Sequence, residues 1–263
     1  MKMGSFSLRA LAYHVLAVLA GTVYGAQVCP LLTRMPSWTL GLTIFLPLAA
    51  AFFLRGPAER LAVAPAPPLR RAARQFRMEL TLFTLAGLAS ALGLLPLFGP
   101  PFLESGMKLA VGLFTVGVFA SLDLALSRER AVIEEARRGL AAHALPTRLT
   151  PMTRTVSLAA VLILLLVTVI IMLVLVRDMG LIALQGPAPE SAAAFTRSVI
   201  LEVAVVIAVL LVLGINLVFS YARNLRLLFA IETDILESVS RGDLSRLVPV
   251  TTNNELGVIA GHT

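Results

Sequence analysis

FSYARNLRLLFAIETDILESVSRGDLSRLVPVTTNNELGVIAGHT, residues 219–263, passes from one helical pattern through a break to the start of another. Leu225, Leu228, Ile231, Ile235 and Val239 recur at three- and four-residue steps, which lays an apolar seam along one side of a helix. Gly242 and Asp243 stop that helix, and an extended connector follows in which Leu244 and Val248 stand four apart. Pro249 rules out simple continuation of the first helix. Asn253 or Asn254 then suits a cap for a second helix opening on Glu255-Leu256-Gly257. That second helix has only about nine residues in this sequence, below the ~12–15 at which an isolated helix becomes marginal in water.

Upstream of this stretch the sequence is of another kind. Over 263 residues it is 58% hydrophobic and 14% charged, with mean hydropathy +0.89. Such a composition predicts an integral helical membrane protein. Six apolar runs suffice to cross a ~30 Å hydrocarbon layer, near 10–29, 38–54, 80–98, 107–126, 155–176 and 198–219. The second is the shortest and is interrupted by Pro47. The first follows Lys2 and Arg9 as a signal peptide would, but bulky Tyr24 stands two residues before Ala26, where a cleavage site wants a small side chain. It reads as an uncleaved span.

The net charge of +7 would suit nucleic acid, but the arginines flank apolar runs and fit a membrane topology signal instead. With the N-terminus inside, 18 of the 22 basic residues fall on the cytoplasmic side: two before the first span, six in 55–77, six in 128–154 and four in the tail. Only Arg34, Lys108, Arg177 and Arg197 fall outside, so both termini are expected in the cytoplasm. The external turns are expected at 35–37 and 99–106, and the one sizeable external segment at 177–197, with a Gly186-Pro187-Ala188-Pro189 loop. Inside, 56–68 reads as a Pro/Ala-rich linker and 70–79 as a basic helical lead-in to the third span. Residues 127–145 are expected to continue the fourth span as helix, with Arg130, Glu134 and Arg138 spaced for pairing.

The order of the tail resembles a HAMP domain, the signalling relay found just inside bacterial membranes. The likeness rests on the Leu228, Ile231, Ile235 and Val239 seam, the Gly242-Asp243-Leu244 turn, Val248 and Pro249, and Glu255 with Gly257. Leu228 stands where most HAMP first helices carry a proline. The resemblance implies a parallel homodimer, a helical bundle with two helices from each chain, and a location in the bacterial inner membrane. The expected fold is therefore an all-α membrane protein: six transmembrane helices over 1–218, followed by a cytoplasmic, truncated HAMP helical relay over 219–263, its second helix incomplete. Six spans feeding one HAMP look like the architecture of bacterial class III adenylate cyclases. A histidine kinase or other HAMP-linked receptor fits the same fragment, and a small transporter or membrane scaffold is the alternative from another class.

Ionisable groups inside spans are functional candidates by default. Glu202, about one turn inside the sixth span, leads the set because that span runs directly into the seam helix; Lys108 and Arg197 are its candidate partners. Together they are the candidate sensing residues for an unknown small-molecule or lipid ligand. Asp123 is expected to pair with nearby Arg128 or reach toward the headgroups, and His14 to hydrogen-bond between helices. Gly87, Ser90, Gly93, Gly112 and Gly117 permit close helix approach. One cysteine and three scattered histidines suggest no metal site, and no cofactor motif is present. GxxxxGK[ST], HExxH and GxSxG are all missing, so no catalytic site is visible in the chain.

Overall fold

In the computed structural model the described residues are 3–28, 36–94, 102–137, 165, 167–169, 172 and 189–243. They form five long helices: α1 (Met3–Val28), α2 (Ser37–Ala62), α3 (Pro68–Leu92), α4 (Phe102–Arg137) and α5 (Pro189–Ser240). No strand occurs among them, as expected from the composition. The spans expected near 10–29, 38–54, 80–98, 107–126 and 198–219 fall on these five helices; the one near 155–176 lies largely outside the described residues.

Several boundaries differ from those expected, each for a local reason. α2 runs straight through Pro47 and Pro57, because in an apolar setting the rest of the ladder and the neighbouring helices hold the segment together. The stretch 56–68 is mostly not a linker: Ala58-Glu59-Arg60-Leu61-Ala62 are strong helix formers, and only 63–67 turns. The 99–106 turn is shortened because α4 already begins at Phe102. α5 likewise begins at Pro189, inside the segment expected to loop, since proline suits the first turn of a helix. The basic lead-in at 70–79 is helical and continuous with the third apolar run.

Among the described residues three helices are long and apolar enough to cross a membrane: Ser37–Ala62, Gly106–Ala136 and Val203–Ser240. Ser7–Val23 of α1 is a shorter apolar helix. α3 does not reach the same standard, because Arg70, Arg71, Arg74, Arg77 and Glu79 occupy its first half.

α4 packs on α1, α3 and α5, and α1 to α4 run up and down: Gly21 meets Ile44 while His14 meets Phe52, Thr43 meets Gly93 while Arg55 meets Glu79, and Phe83 meets Gly117 while Gly87 meets Leu113. The α3–α4 interface is the most extensive and is built on small residues. A Cβ placed on Gly117 would lie 2.6 Å from Cβ of the fully buried Phe83, and one on Gly87 3.4 Å from Cβ of Leu113. Ser90, also buried, turns its hydroxyl onto the Ala86 carbonyl at 2.9 Å, leaving the surface apolar. These glycines therefore allow the close approach read from the sequence. α5 runs parallel to α4: Leu126 and Arg130 meet Asn224, and one to two turns further on Ile133 meets Ile231 and Ile235.

Candidate functional site

Each helix carries polar side chains four residues apart, which places them on one face. These are Arg9 and Tyr13 on α1, Arg55 and Glu59 on α2, Gln75 and Glu79 on α3, Asp123 and Ser127 on α4, and Asn216, Ser220 and Asn224 on α5. The alternating course of α1 to α4, with α5 parallel to α4, brings all of them to the Arg-rich end of the bundle, where they form a belt in three linked groups.

The first group joins α2, α3 and α4. Arg55 Nε donates to Glu79 Oε1 at 2.5 Å, and Gln75 Nε2 donates to the same oxygen at 2.6 Å. Arg128 Nη2 donates to Glu59 and, at 3.3 Å, to Gln75 Oε1. Glu79 and Gln75 are wholly buried. A carboxylate so placed depends on its partners, and stranding one member of such a pair typically costs ~3–5 kcal/mol.

The second group joins α1, α4 and α5. Arg9 Nη1 donates to Ser127 Oγ at 2.9 Å and lies 3.7 Å from Asp123 Oδ2. Asn216 Nδ2 donates to the Tyr13 hydroxyl at 2.6 Å. The third group clamps α5 onto α4. Arg130 Nε donates to Asn224 Oδ1 at 2.9 Å, and Arg130 Nη2 to the Ser220 carbonyl at 2.9 Å. Asn224 Nδ2 in turn donates to the Leu126 carbonyl at 2.9 Å and to Glu129 Oε2 at 3.0 Å. The side chain of Asn224 is thereby used on both its amide atoms, at a position only 2% exposed.

Two expected pairings are corrected here. Asp123 turns to Arg9, not to Arg128, because five residues along a helix are offset by roughly 140°; Arg128 faces Glu59 on another side of α4. Arg130 likewise reaches across to α5 instead of along its own helix to Glu134; Arg138 lies outside the described residues. His14 does not hydrogen-bond another helix through Nδ1, which meets the Ala10 carbonyl of its own turn at 2.8 Å. Its link to α2 and α3 is ring packing, with Phe52 and Phe83 at centroid distances of 5.3 and 4.6 Å.

The MASE10 family model matches residues 13–205. The chain belongs to the MASE10 family. This family is a membrane-associated sensor domain, so a membrane sensor region is what the chain contains. No curated protein and no solved structure matches it.

The MASE10 match takes in α2, α3 and α4 whole, most of α1 and the start of α5, and stops short of Asn216, Ser220 and Asn224. Beyond it α5 continues unbroken to Ser240, a helix of 52 residues, ~78 Å long at 1.5 Å per residue. Its end is capped by a Schellman motif. Gly242 N–H donates to the Val239 carbonyl at 2.9 Å and Asp243 N–H to the Ser238 carbonyl at 3.1 Å, with Gly242 at φ 85°. The break expected at Gly242 is thus a left-handed turn that suits glycine. Of the seam, Ile231 and Ile235 are buried against Ile133 with Leu228 beside them, while Val239 is exposed. Leu244, Val248, Pro249, Glu255 and Gly257 lie outside the described residues.

At the opposite end of the MASE10 bundle, a cavity of about 60 Å³ lies between α1, α4 and α5. Leu109, Gly112, Leu113, Val205, Val209 and Leu213 are among its lining residues. Lys108, half-buried, precedes Leu109 on α4, and residue 202 lies one turn before Val205 on α5. The structure describes only the backbone at Glu202 and Arg197. Sequence reading singled out Lys108, Arg197 and Glu202 toward this end, and Asp123, Arg128 and Arg130 singly, but missed the belt that the last three help to form. The signal was there as polar residues at four-residue steps beside an apolar run, on five separate helices.

Proposed function

We propose that the chain is the sensor and relay part of a bacterial inner-membrane signalling receptor. In this reading a stimulus acts at the end of the bundle that holds Lys108, Arg197 and Glu202. It leaves along α5 through a HAMP relay to a C-terminal effector, for which an adenylate cyclase is the favoured identity. The single observation that carries the reading is the unbroken helix from Pro189 to Ser240. It lines the apolar cavity from Val205 to Leu213, passes the belt and extends ~30 Å beyond Ser220. A stiff rod of that kind passes a small shift or rotation to a bistable bundle at its far end.

The clamp between Arg130 and Asn224 is where α4 holds the rod. Just past it, Ile133 occupies Ile231 and Ile235, which belong to the seam a parallel homodimer would use. α4 and a partner chain then compete for one apolar strip, and a movement of α5 against α4 shifts the balance between them. The parallel course of α4 and α5 supports six crossings, since the chain between them must return to the far end and the apolar run at 155–176 suits that passage. The distribution of basic residues supports cytoplasmic termini.

The test joins the chain through Thr263 to a cyclase catalytic domain and reads cyclic AMP in cells. Inserting two residues after Arg223 rotates the distal helix by ~200° and should lock or invert the output. Unchanged output would rule out α5 as the relay. In the same fusion Glu202→Gln should alter the response to stimulus without changing expression; an unaltered response removes Glu202 from sensing.

A further inference from the structure

A second cleft lies on the α2–α3 hairpin, level with the belt but built from other residues of the two helices, and away from the sensing end. It measures about 500 Å³ and is lined by Arg74 and Arg77 together with Ala58, Ala62, Met78 and Leu82. Its position is the step where both helices pass from basic to apolar sequence. Arg74 spans the cleft, with Nη1 donating to the Ala62 carbonyl at 3.1 Å, which uses one of the five N–H groups of the guanidinium. Arg77 is exposed. Thr81, also at the cleft, turns its hydroxyl back onto the Arg77 carbonyl at 2.8 Å, so the two guanidinium forks are the outward donors.

Below the arginines the same face of α3 changes character. Met78, Leu82, Leu85 and Leu92 follow at helical steps, and Leu85 and Leu92 are 58% and 59% exposed. A cationic head above an uncovered apolar track matches an anionic amphiphile: planar guanidinium groups bind phosphate oxygens through paired N–H donors, and leucines lie along a hydrocarbon chain. We propose that this cleft binds an anionic phospholipid, with its phosphate between Arg74 and Arg77 and its acyl chain along Leu82 and Leu85. The proposal is independent of the relay reading, because it concerns neither α5 nor the tail.

Native mass spectrometry of the full detergent-solubilised chain with phosphatidylglycerol and phosphatidylcholine tests it. Phosphatidylglycerol should remain bound in preference to phosphatidylcholine. Arg77→Gln should lower its occupancy by roughly fivefold, and Arg74→Gln/Arg77→Gln further, since each basic group near an anionic headgroup contributes on that scale. Removing two charges elsewhere, with Arg223→Gln/Arg226→Gln, should change it by less than about twofold. Circular dichroism verifies that each variant keeps its helices, and Arg77→Gln, altering an exposed side chain, serves where the double variant does not fold. Equal loss from both arginine pairs would mean diffuse charge and overturn the site. Equal retention of the two lipids, or no effect of Arg77→Gln, would do the same. Displacement of the lipid by soluble glycerol phosphate would assign the cleft to a free phosphate ester, overturning the lipid assignment.

Discussion

α4 and α5 are both long and apolar, and the more apolar of the two is the less buried. The spanning stretch of α4 has mean hydropathy 2.0 and is 61% buried; that of α5 has mean hydropathy 2.8 and is 11% buried. In a water-soluble protein the order would be reversed. The inversion has a physical cause. When the surroundings are as apolar as leucine, burying leucine gains little, and helices associate through close backbone approach and hydrogen bonds. α4 supplies both, with Gly112, Thr115, Gly117 and Ser121 along its packed faces, and these residues lower its hydropathy. α5 carries bulky Ile207, Leu211, Val212 and Val218 outward, and among the described residues it is held by the belt and a few apolar contacts. Among the described helices, α4 reads as the fixed centre and α5 as the most loosely held.

Breaking that contrast should be easiest at glycine. Gly117→Ala forces a Cβ to within 2.6 Å of the Phe83 Cβ, two rigid positions that can part only if α3 and α4 separate. Overpacking typically costs ~1–3 kcal/mol, and this variant should lie at the upper end, seen as a large drop in the thermal midpoint in detergent. Gly214→Ala on α5 meets nothing within 4 Å and should be neutral or stabilising by up to about 1 kcal/mol, the helix propensity difference. Equal losses at both positions would dissolve the distinction between the two helices.

The clamp should give the next largest effect. Asn224→Ala leaves Arg130 without its Nε acceptor and Glu129 without the amide donor, a loss of ~1–3 kcal/mol by the usual penalty for buried polar groups left unpaired. Because the loss is confined to the α4–α5 contact, crosslinking between cysteines at 133 and 231 should fall while crosslinking between 87 and 113, across α3 and α4, persists. Parallel loss of both would show that α5 is integral to the bundle and not held at one latch.

The smallest effect is expected on the outer face of α5. Ile207→Ala, Leu211→Ala or Val218→Ala removes apolar atoms from positions 49%, 55% and 68% exposed, and each should change stability by no more than about 0.5 kcal/mol. A loss of several times that size would reveal a partner on this face and sharpen the comparison by showing what else holds α5.

What could be read in advance divides along a clear line. The sequence by itself determined the helices, their approximate lengths, the small-residue faces of the third and fourth runs, and the end of α5 at Gly242. Apolar periodicity, helix-former content and a left-handed cap are properties of residues within a turn or two of each other, so they survive without knowledge of the partner. Even there the helix ends ran past the expected turns, since Pro189 and the residues after Pro57 sit comfortably in helix. Only the tertiary structure decided which polar group meets which. Asp123 and Arg128 looked adjacent, yet they point to different neighbours, Arg9 and Glu59. Asn224, unremarked as one amide among many, became the centre of a three-partner clamp once α5 lay parallel to α4. A buried polar side chain is satisfied by whatever the packing brings to it, and that is set by helix order and rotation, which no local pattern encodes.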